Sequence, residues 1–145
     1  MIRAVAAAVL FLAAAGPADA QEASILGRWR TPAEGGVVEI HRCGAALCGR
    51  LVDAAPLRRD PDQRDVRNRD AAQRQRPLRG LPVLRQFTGG PSEWRGGPLY
   101  DPDSGQTADR GSLTLVSADR LSVRGCIARV LCRTQTWRRA DPAPR

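Results

Sequence analysis

The stretch HRCGAALCGRLV, residues 41–52, places two cysteines between β-prone flanks, with four residues separating Cys43 from Cys48. This spacing is not the Cys-x-x-Cys of a redox motif. The other two cysteines, Cys126 and Cys132, are separated by five residues, wider than the usual spacing of zinc ligands. Four cysteines allow three connectivities, and the spacing favours the two local ones. We therefore expect each pair to close a hairpin, with no metal site and no cofactor.

Direct pairing of the cysteines predicts the register of both hairpins. If the first pair lies opposite each other across a four-residue turn, Ile40 faces Leu51 on the core side of the sheet. His41 then points outward with the cystine. If the second pair is opposed in the same way, Leu121 faces Trp137. A clasp around so short a loop contributes roughly 2–2.5 kcal/mol by loop-closure entropy.

The remaining sequence is typical of an all-β meander, because short apolar runs alternate with Gly, Pro, Asp and Ser. One long charged connection, 56–80, interrupts it. We expect a solvated loop there, and a short exposed helix from Asp65 to Arg76 is the alternative. We predict one antiparallel up-and-down β-barrel domain over 21–145, with about eight strands. The strand-like runs are 25–30, 37–43, 48–54, 82–87, 97–101, 106–108, 112–117, 120–126 and 132–139.

The first 20 residues have the pattern of a secretory signal peptide. Arg3 precedes an apolar run from Ala4 to Ala15, and an A-x-A cleavage site ends at Ala20. The run of 12 residues is shorter than the ~20 that a membrane-spanning helix needs, so no transmembrane span is expected in the mature protein. We expect cleavage near Ala20 and a periplasmic or secreted location, where disulfides persist.

The chain has 23 basic and 15 acidic residues, a net charge of +8. Every basic residue is arginine, a bias typical of GC-rich coding sequences, so the charge alone does not indicate nucleic acid, and we expect no such partner. The partners that remain are a small amphiphilic or anionic molecule in the barrel and an anionic envelope surface or a protein outside it.

Both ends of the barrel domain carry tryptophan and arginine. Gly27-Arg28-Trp29 opens the first strand, and Trp137 and Arg139 share one face of the last strand. This resembles the calycin arrangement, in which the first and last strands pair and an arginine covers a tryptophan at the barrel floor. Trp29, Trp137 and Arg139 are therefore interpreted as structural residues.

A wider set of segments resembles the uncharacterised bacterial exported family known as domain of unknown function 2147. The resemblance covers about residues 24–139. It implies a single calycin or lipocalin-like barrel in the bacterial envelope, without an assigned activity. Ala108 stands where the family usually has an aromatic residue, and Arg79 where an apolar residue or cysteine is common. The segments are ILGRWRTP, VVEIHRCGAALCGRLV, RPLRGLPVL, GGPLYDPDSGQT and LSVRGCIARVLCRTQTWRR.

No catalytic set can be assembled from the sequence, and we do not expect an enzyme. His41 is the sole histidine, and the predicted register turns it outward beside Glu39 and Arg50 without a nucleophile. Asp101 and Asp103 flank a proline in a tight turn, where aspartate caps backbone amides rather than binding calcium.

A ligand site is predicted where the long connection re-enters the barrel. Arginine offers a planar fork for a carboxylate or phosphate, and Leu81, Val83, Leu115 and Val123 would line an apolar interior. The first functional interpretation is a barrel that binds a small amphiphilic or anionic molecule. The alternative is a structural or stress-related envelope protein with a filled barrel. The candidate ligand-binding residues are Arg76, Arg79, Trp94, Tyr100 and Gln135.

Overall fold

The computed structural model describes residues 25–33 and 35–140, with the isolated positions Ala13 and Gly16. The predicted leader therefore lies almost wholly outside the described residues. A short helix, α1 (Ala55–Arg59), and a 3₁₀ turn at Ala71–Gln73 lie between the third and fourth strands. The strands are β1 (Gly27–Arg30), β2 (Val37–Cys43), β3 (Ala46–Asp53), β4 (Pro82–Gly89), β5 (Glu93–Gly96), β6 (Leu99–Asp101), β7 (Gln106–Ala108), β8 (Arg110–Ser117), β9 (Arg120–Ile127) and β10 (Leu131–Arg139).

These strands close into the predicted antiparallel barrel. β1 pairs with β2 and β10, neighbours along the chain pair in turn, and β3 pairs with β4 to complete the ring. β5 and β6 both pair with β4 in a single register and are separated only by Gly97-Pro98. On their other side, β5 pairs with β8 and β6 pairs with β7, again in a single register. The barrel is therefore an eight-stranded meander with two bent strands. Glu93–Gly96 was not among the predicted strands, because its flanking Gly and Pro residues indicate turns.

Alternate connections of a meander lie at opposite ends of the barrel. Residues 44–45, 90–92 and 118–119 join strands at one end, which also holds the start of β1 and the end of β10. We call this the closed end. The open end carries the connections 31–36, 54–81, 102–105 and 128–130.

The predicted register of the first hairpin is wrong by two residues. Ile40 lies opposite Gly49 rather than Leu51, because a two-residue turn joins β2 and β3 and Cys43 faces Ala46. Gly44 takes the positive φ of 67° that this tight turn requires at its first central position. Cys43 and Cys48 are therefore diagonal neighbours, with their Cα atoms 5.8 Å apart, and still form the predicted disulfide. A shift of two residues preserves the faces of the strand, so Ile40 and Leu51 are buried.

The second hairpin confirms the prediction in both pairing and register. Cys126 lies opposite Cys132 and forms a disulfide with it. Leu121 lies opposite Trp137 and Val123 opposite Gln135. All three inward apolar side chains, those of Leu121, Val123 and Trp137, are buried.

The long connection is a loop over Asp65 to Arg76, as expected, and not the alternative exposed helix. Residues 65–76 form turns and a single 3₁₀ turn, while the α-helix lies earlier, over Ala55–Arg59. Leu57 from that helix is fully buried in the core. Asp65 and Asn68 are also buried, at 1% and 8% exposure, so the connection packs onto the barrel more tightly than its polar composition indicates.

Candidate functional site

A cavity of about 410 Å³ opens at the open end of the barrel. Its apolar part is formed by inward side chains of five strands, together with Leu78 and Pro56 from the long connection. The strand residues of this apolar surface are Val38, Leu51, Val83, Leu84, Val123 and Trp137. The interior is therefore partly hollow.

The other half of the interior is filled. Trp29, Phe87 and Trp94 are buried at 0–2% exposure and do not line the cavity. Arg139 covers the Trp29 indole, with its guanidinium carbon 4.0 Å from the ring centroid. Its Nη1 donates a hydrogen bond to the Leu26 carbonyl at 2.8 Å, and its Nε and Nη2 donate to the Ala118 carbonyl. At the closed end, Arg139 of β10 therefore connects the start of β1 with the turn between β8 and β9.

Leu99 lines the cavity and packs against two glycines of the barrel wall. Gly111 on β8 faces Gly125 on β9, both inward, and a Cβ at Gly111 would lie 2.3 Å from Leu99 Cδ1. These two glycines therefore make room for Leu99 to lean into the barrel. Ala108 lies beside Gly125 and lines the cavity, so a larger residue at 108 would occupy cavity space.

Polar groups surround the cavity mouth. Gln135 lines it and accepts a hydrogen bond from Trp137 Nε1 at 3.0 Å. Arg133, two residues away on the same inward face of β10, also lines the mouth. Among the described residues its side chain has neither an ion pair nor a hydrogen bond.

A buried carboxylate fixes the long connection to the rim. Asp65 accepts hydrogen bonds from Tyr100 Oη at 2.5 Å, from Asn68 Nδ2 at 2.8 Å and from Arg76 Nη2 at 2.9 Å. The Arg76 guanidinium also lies 5.7 Å from the Tyr100 ring centroid. Burial, and then the hydrogen bond to Asp65, raise the pKa of the Tyr100 phenol far above its usual value. The phenol is therefore neutral and holds the connection against β6.

The predicted ligand residues fall in three places. Tyr100 and Gln135 line the cavity, and Arg76 stands behind Tyr100 in the Asp65 cluster. Arg79 is exposed and does not line the cavity. Trp94 is buried towards the closed end, 2% exposed, away from the cavity.

Sequence reasoning missed Arg133 and Asp65. Strand alternation could have found Arg133, because it shares its inward face with Gln135 and Trp137. Nothing in the local sequence distinguishes Asp65 from the neighbouring charged residues, since its phenol partner is 35 positions away.

The other candidate residues have structural surroundings. His41 lies opposite Cys48 rather than Arg50, and its Nδ1 is 3.4 Å from the Glu39 carbonyl oxygen. Arg50 instead forms an ion pair with Glu39. The Asp101 carboxylate accepts hydrogen bonds from the Asp103 amide at 3.0 Å and from Ser104 Oγ at 2.7 Å. Asp101 therefore caps the turn, as expected.

Two features are absent from the described part of the chain. No group of three or more His, Cys, Asp or Glu side chains there could hold a metal ion. No helix in that part has the length and hydropathy needed to cross a bilayer.

A solved structure shares this architecture. Protein HP1028 from the human pathogen Helicobacter pylori, described as belonging to the lipocalin family, is similar over 81% of this chain and 84% of its own. The TM-score is 0.69 at 18% sequence identity. Fold and cavity together thus define a lipocalin-like barrel. The chain belongs to the family described as "Uncharacterized protein conserved in bacteria (DUF2147)", which it matches over residues 27–139. No curated protein shows significant sequence similarity to it.

Proposed function

We propose that the protein binds a small amphiphilic anion, with the apolar part of the ligand in the barrel and its head at the mouth. The observation that carries this proposal is the cavity of about 410 Å³ at the open end. Small-molecule sites typically occupy about 300–1,000 Å³ and are mostly apolar with a few polar groups. The side chains lining this cavity have the same composition.

Arg133 supports an anionic head. It lines the mouth from β10, where it lies directly opposite Gly125 of β9. A guanidinium can bind a carboxylate or phosphate through two parallel hydrogen bonds. The Asp101 carboxylate at the same mouth already accepts two hydrogen bonds from its own turn.

Export to an oxidising compartment belongs to the same proposal. Both disulfides are formed and the described residues contain no free cysteine. Disulfides of this kind persist outside the cytoplasm. N-terminal sequencing of protein recovered from the periplasm would test this directly. The expected first residue is Gln21, and a protein that keeps Met1 and remains in the cytoplasm would contradict it.

Dodecanoate is a suitable probe, because it combines a flexible apolar chain with a carboxylate. Isothermal titration calorimetry should show saturable binding of one dodecanoate per protein, with a negative heat-capacity change from apolar burial. The variant Ala108→Phe should weaken binding at least roughly tenfold, because the ring takes up cavity volume.

Arg133→Gln tests the head group separately. It should weaken dodecanoate binding while leaving the affinity for the uncharged dodecanol unchanged. The matched control is Arg124→Gln, since Arg124 is exposed on the same hairpin but does not line the cavity. Equal effects of the two arginine variants, or unaltered binding in Ala108→Phe, would contradict the proposed site.

A further inference from the structure

The β9–β10 hairpin ends in an exposed apolar segment at the open end. Among the described residues, five large apolar side chains are exposed, and three of them lie within residues 127–131. Val130 is 84% exposed, Leu131 68% and Ile127 41%. We call these three residues the apolar tip. Exposed apolar side chains that cluster, unlike scattered ones, mark an interaction site.

The apolar tip is surrounded by arginines. Arg129 lies within the turn, and Arg110, Arg124 and Arg133 lie on the strands beneath it. All four are exposed, and within the described structure none of their side chains forms an ion pair or a hydrogen bond. The hairpin from 120 to 140 contains no Asp or Glu, although Asp109 precedes Arg110. The surface around the tip is therefore strongly basic.

A disulfide holds this arrangement in place. Cys126 and Cys132 join the strands directly below the tip, with their Cα atoms 4.0 Å apart. Ala128 in the turn has a positive φ of 54°. The five-residue loop is short and covalently closed, so Val130 has little freedom to fold back onto the barrel.

We infer that the apolar tip and its arginines bind the surface of an anionic lipid bilayer. Apolar side chains flanked by basic groups partition into the headgroup region, and each arginine near an anionic surface adds attraction. Ile127 and Leu131 also line the cavity mouth. Binding at the tip therefore turns the mouth towards the lipid surface. The surface shares Ile127, Leu131 and Arg133 with the cavity mouth, whereas Arg129 and Val130 lie outside the cavity lining. The inference does not depend on the proposed ligand.

Flotation with lipid vesicles tests the inference. Full-length mature protein is mixed with vesicles of phosphatidylcholine and phosphatidylglycerol in equal amounts, or of phosphatidylcholine alone. It should float with the anionic vesicles, stay behind with the neutral ones, and be released by high salt. No flotation, or equal flotation with both kinds of vesicle, would overturn the inference.

A matched pair of double variants locates the surface. Arg129→Gln with Val130→Ser changes the tip without touching the cavity lining. Arg120→Gln with Val116→Ser makes the same chemical changes at the closed end, where Val116 is 55% exposed. The tip variant should bind anionic vesicles at least roughly tenfold more weakly, and the closed-end variant should bind like the wild type. Equal losses in the two variants would overturn the inference.

Dodecanoate titration without vesicles separates this inference from the proposed function. The tip variant should keep the wild-type affinity for dodecanoate, because Arg129 and Val130 do not line the cavity. Vesicle binding without dodecanoate binding would leave the apolar tip as the interaction surface and refute the cavity ligand alone. Loss of both activities in the tip variant would contradict the independence of the two sites.

Discussion

Arg139 lies over the indole of Trp29, with its guanidinium carbon 4.0 Å from the ring centroid, and this contact joins the two ends of the barrel domain. Trp29 is directly opposite Arg139 in the β1–β10 pair, so the contact also marks where the ring of strands closes. Gly27 has a φ of 113°, and its missing Cβ would lie 3.3 Å from Arg139 Nη1. In the Gly-x-Trp motif, Gly27 therefore supplies the positive φ and the space that Arg139 needs, and Trp29 supplies the buried ring.

Replacing Trp29 with Ala should destabilise the protein by about 3–5 kcal/mol, because the ring is fully buried and its loss leaves a cavity. The indole Nε1 also donates to the Ile25 carbonyl at 2.8 Å. Urea unfolding followed by circular dichroism measures the change. A loss below ~1 kcal/mol would place Trp29 outside the core.

Replacing Tyr100 with Phe should destabilise the protein by about 1–3 kcal/mol, because buried Asp65 loses a hydrogen-bond donor. Ser104→Ala is the control. It removes a hydrogen bond to Asp101 from an exposed residue and should change the stability by less than ~0.5 kcal/mol. Limited proteolysis should cut the connection between β3 and β4 faster in Tyr100→Phe than in the wild type. An unchanged rate would mean that the connection does not depend on this contact.

Glu39 should make a small, pH-dependent contribution to stability. A hydrogen bond from Arg50 lowers the pKa of Glu39 below its usual value of 4.5. The stabilisation is therefore present above pH 4.5 and is lost as the pH falls through the lowered pKa. It should amount to less than ~1 kcal/mol for so accessible a pair.

Glu39→Gln removes this titration. Melting temperatures at neutral pH and below about pH 4 should show a smaller acid-induced loss in the variant than in the wild type. High salt should reduce the difference. An identical loss in both proteins would mean that the Arg50 contact does not favour the charged carboxylate.

The two disulfides should differ in their effect on ligand binding. Replacing Cys43 and Cys48 with Ser should lower stability by about 2 kcal/mol without changing dodecanoate affinity, because that hairpin turn lies at the closed end. Replacing Cys126 and Cys132 with Ser should lower stability and also change dodecanoate affinity, since Cys132 lines the cavity mouth. Thermal melts and calorimetry measure the two effects. Loss of dodecanoate binding in the first variant with unchanged stability would contradict this assignment.

The fold could be predicted from local patterns, and the errors have local causes. The predicted register of the second hairpin is correct because its cysteines lie directly opposite each other. The predicted register of the first hairpin is wrong by two residues, because the tight turn at Gly44 makes its cysteines diagonal rather than direct neighbours. A register shift of two residues leaves each side chain on the same face of the sheet, so the predicted inward residues are still those of the core.

The candidate site was less predictable, because long-range contacts decide it. Charge and sequence position marked Arg76 and Arg79 equally, yet only Arg76 meets the buried Asp65. Trp94 is adjacent to the predicted site in the sequence but lies in a strand that starts at the closed end. Whether the barrel is hollow depends on how side chains such as Leu99 pack, and strand patterns do not encode that packing.

Native mass spectrometry most directly tests whether the open end holds a ligand. Protein purified without reduction should retain one small molecule or take up a single dodecanoate when it is added. At the same subsaturating dodecanoate concentration, Ala108→Phe should show a smaller bound fraction than the wild type. Wild-type protein that remains free of any bound molecule at saturating dodecanoate would contradict a binding function for the barrel.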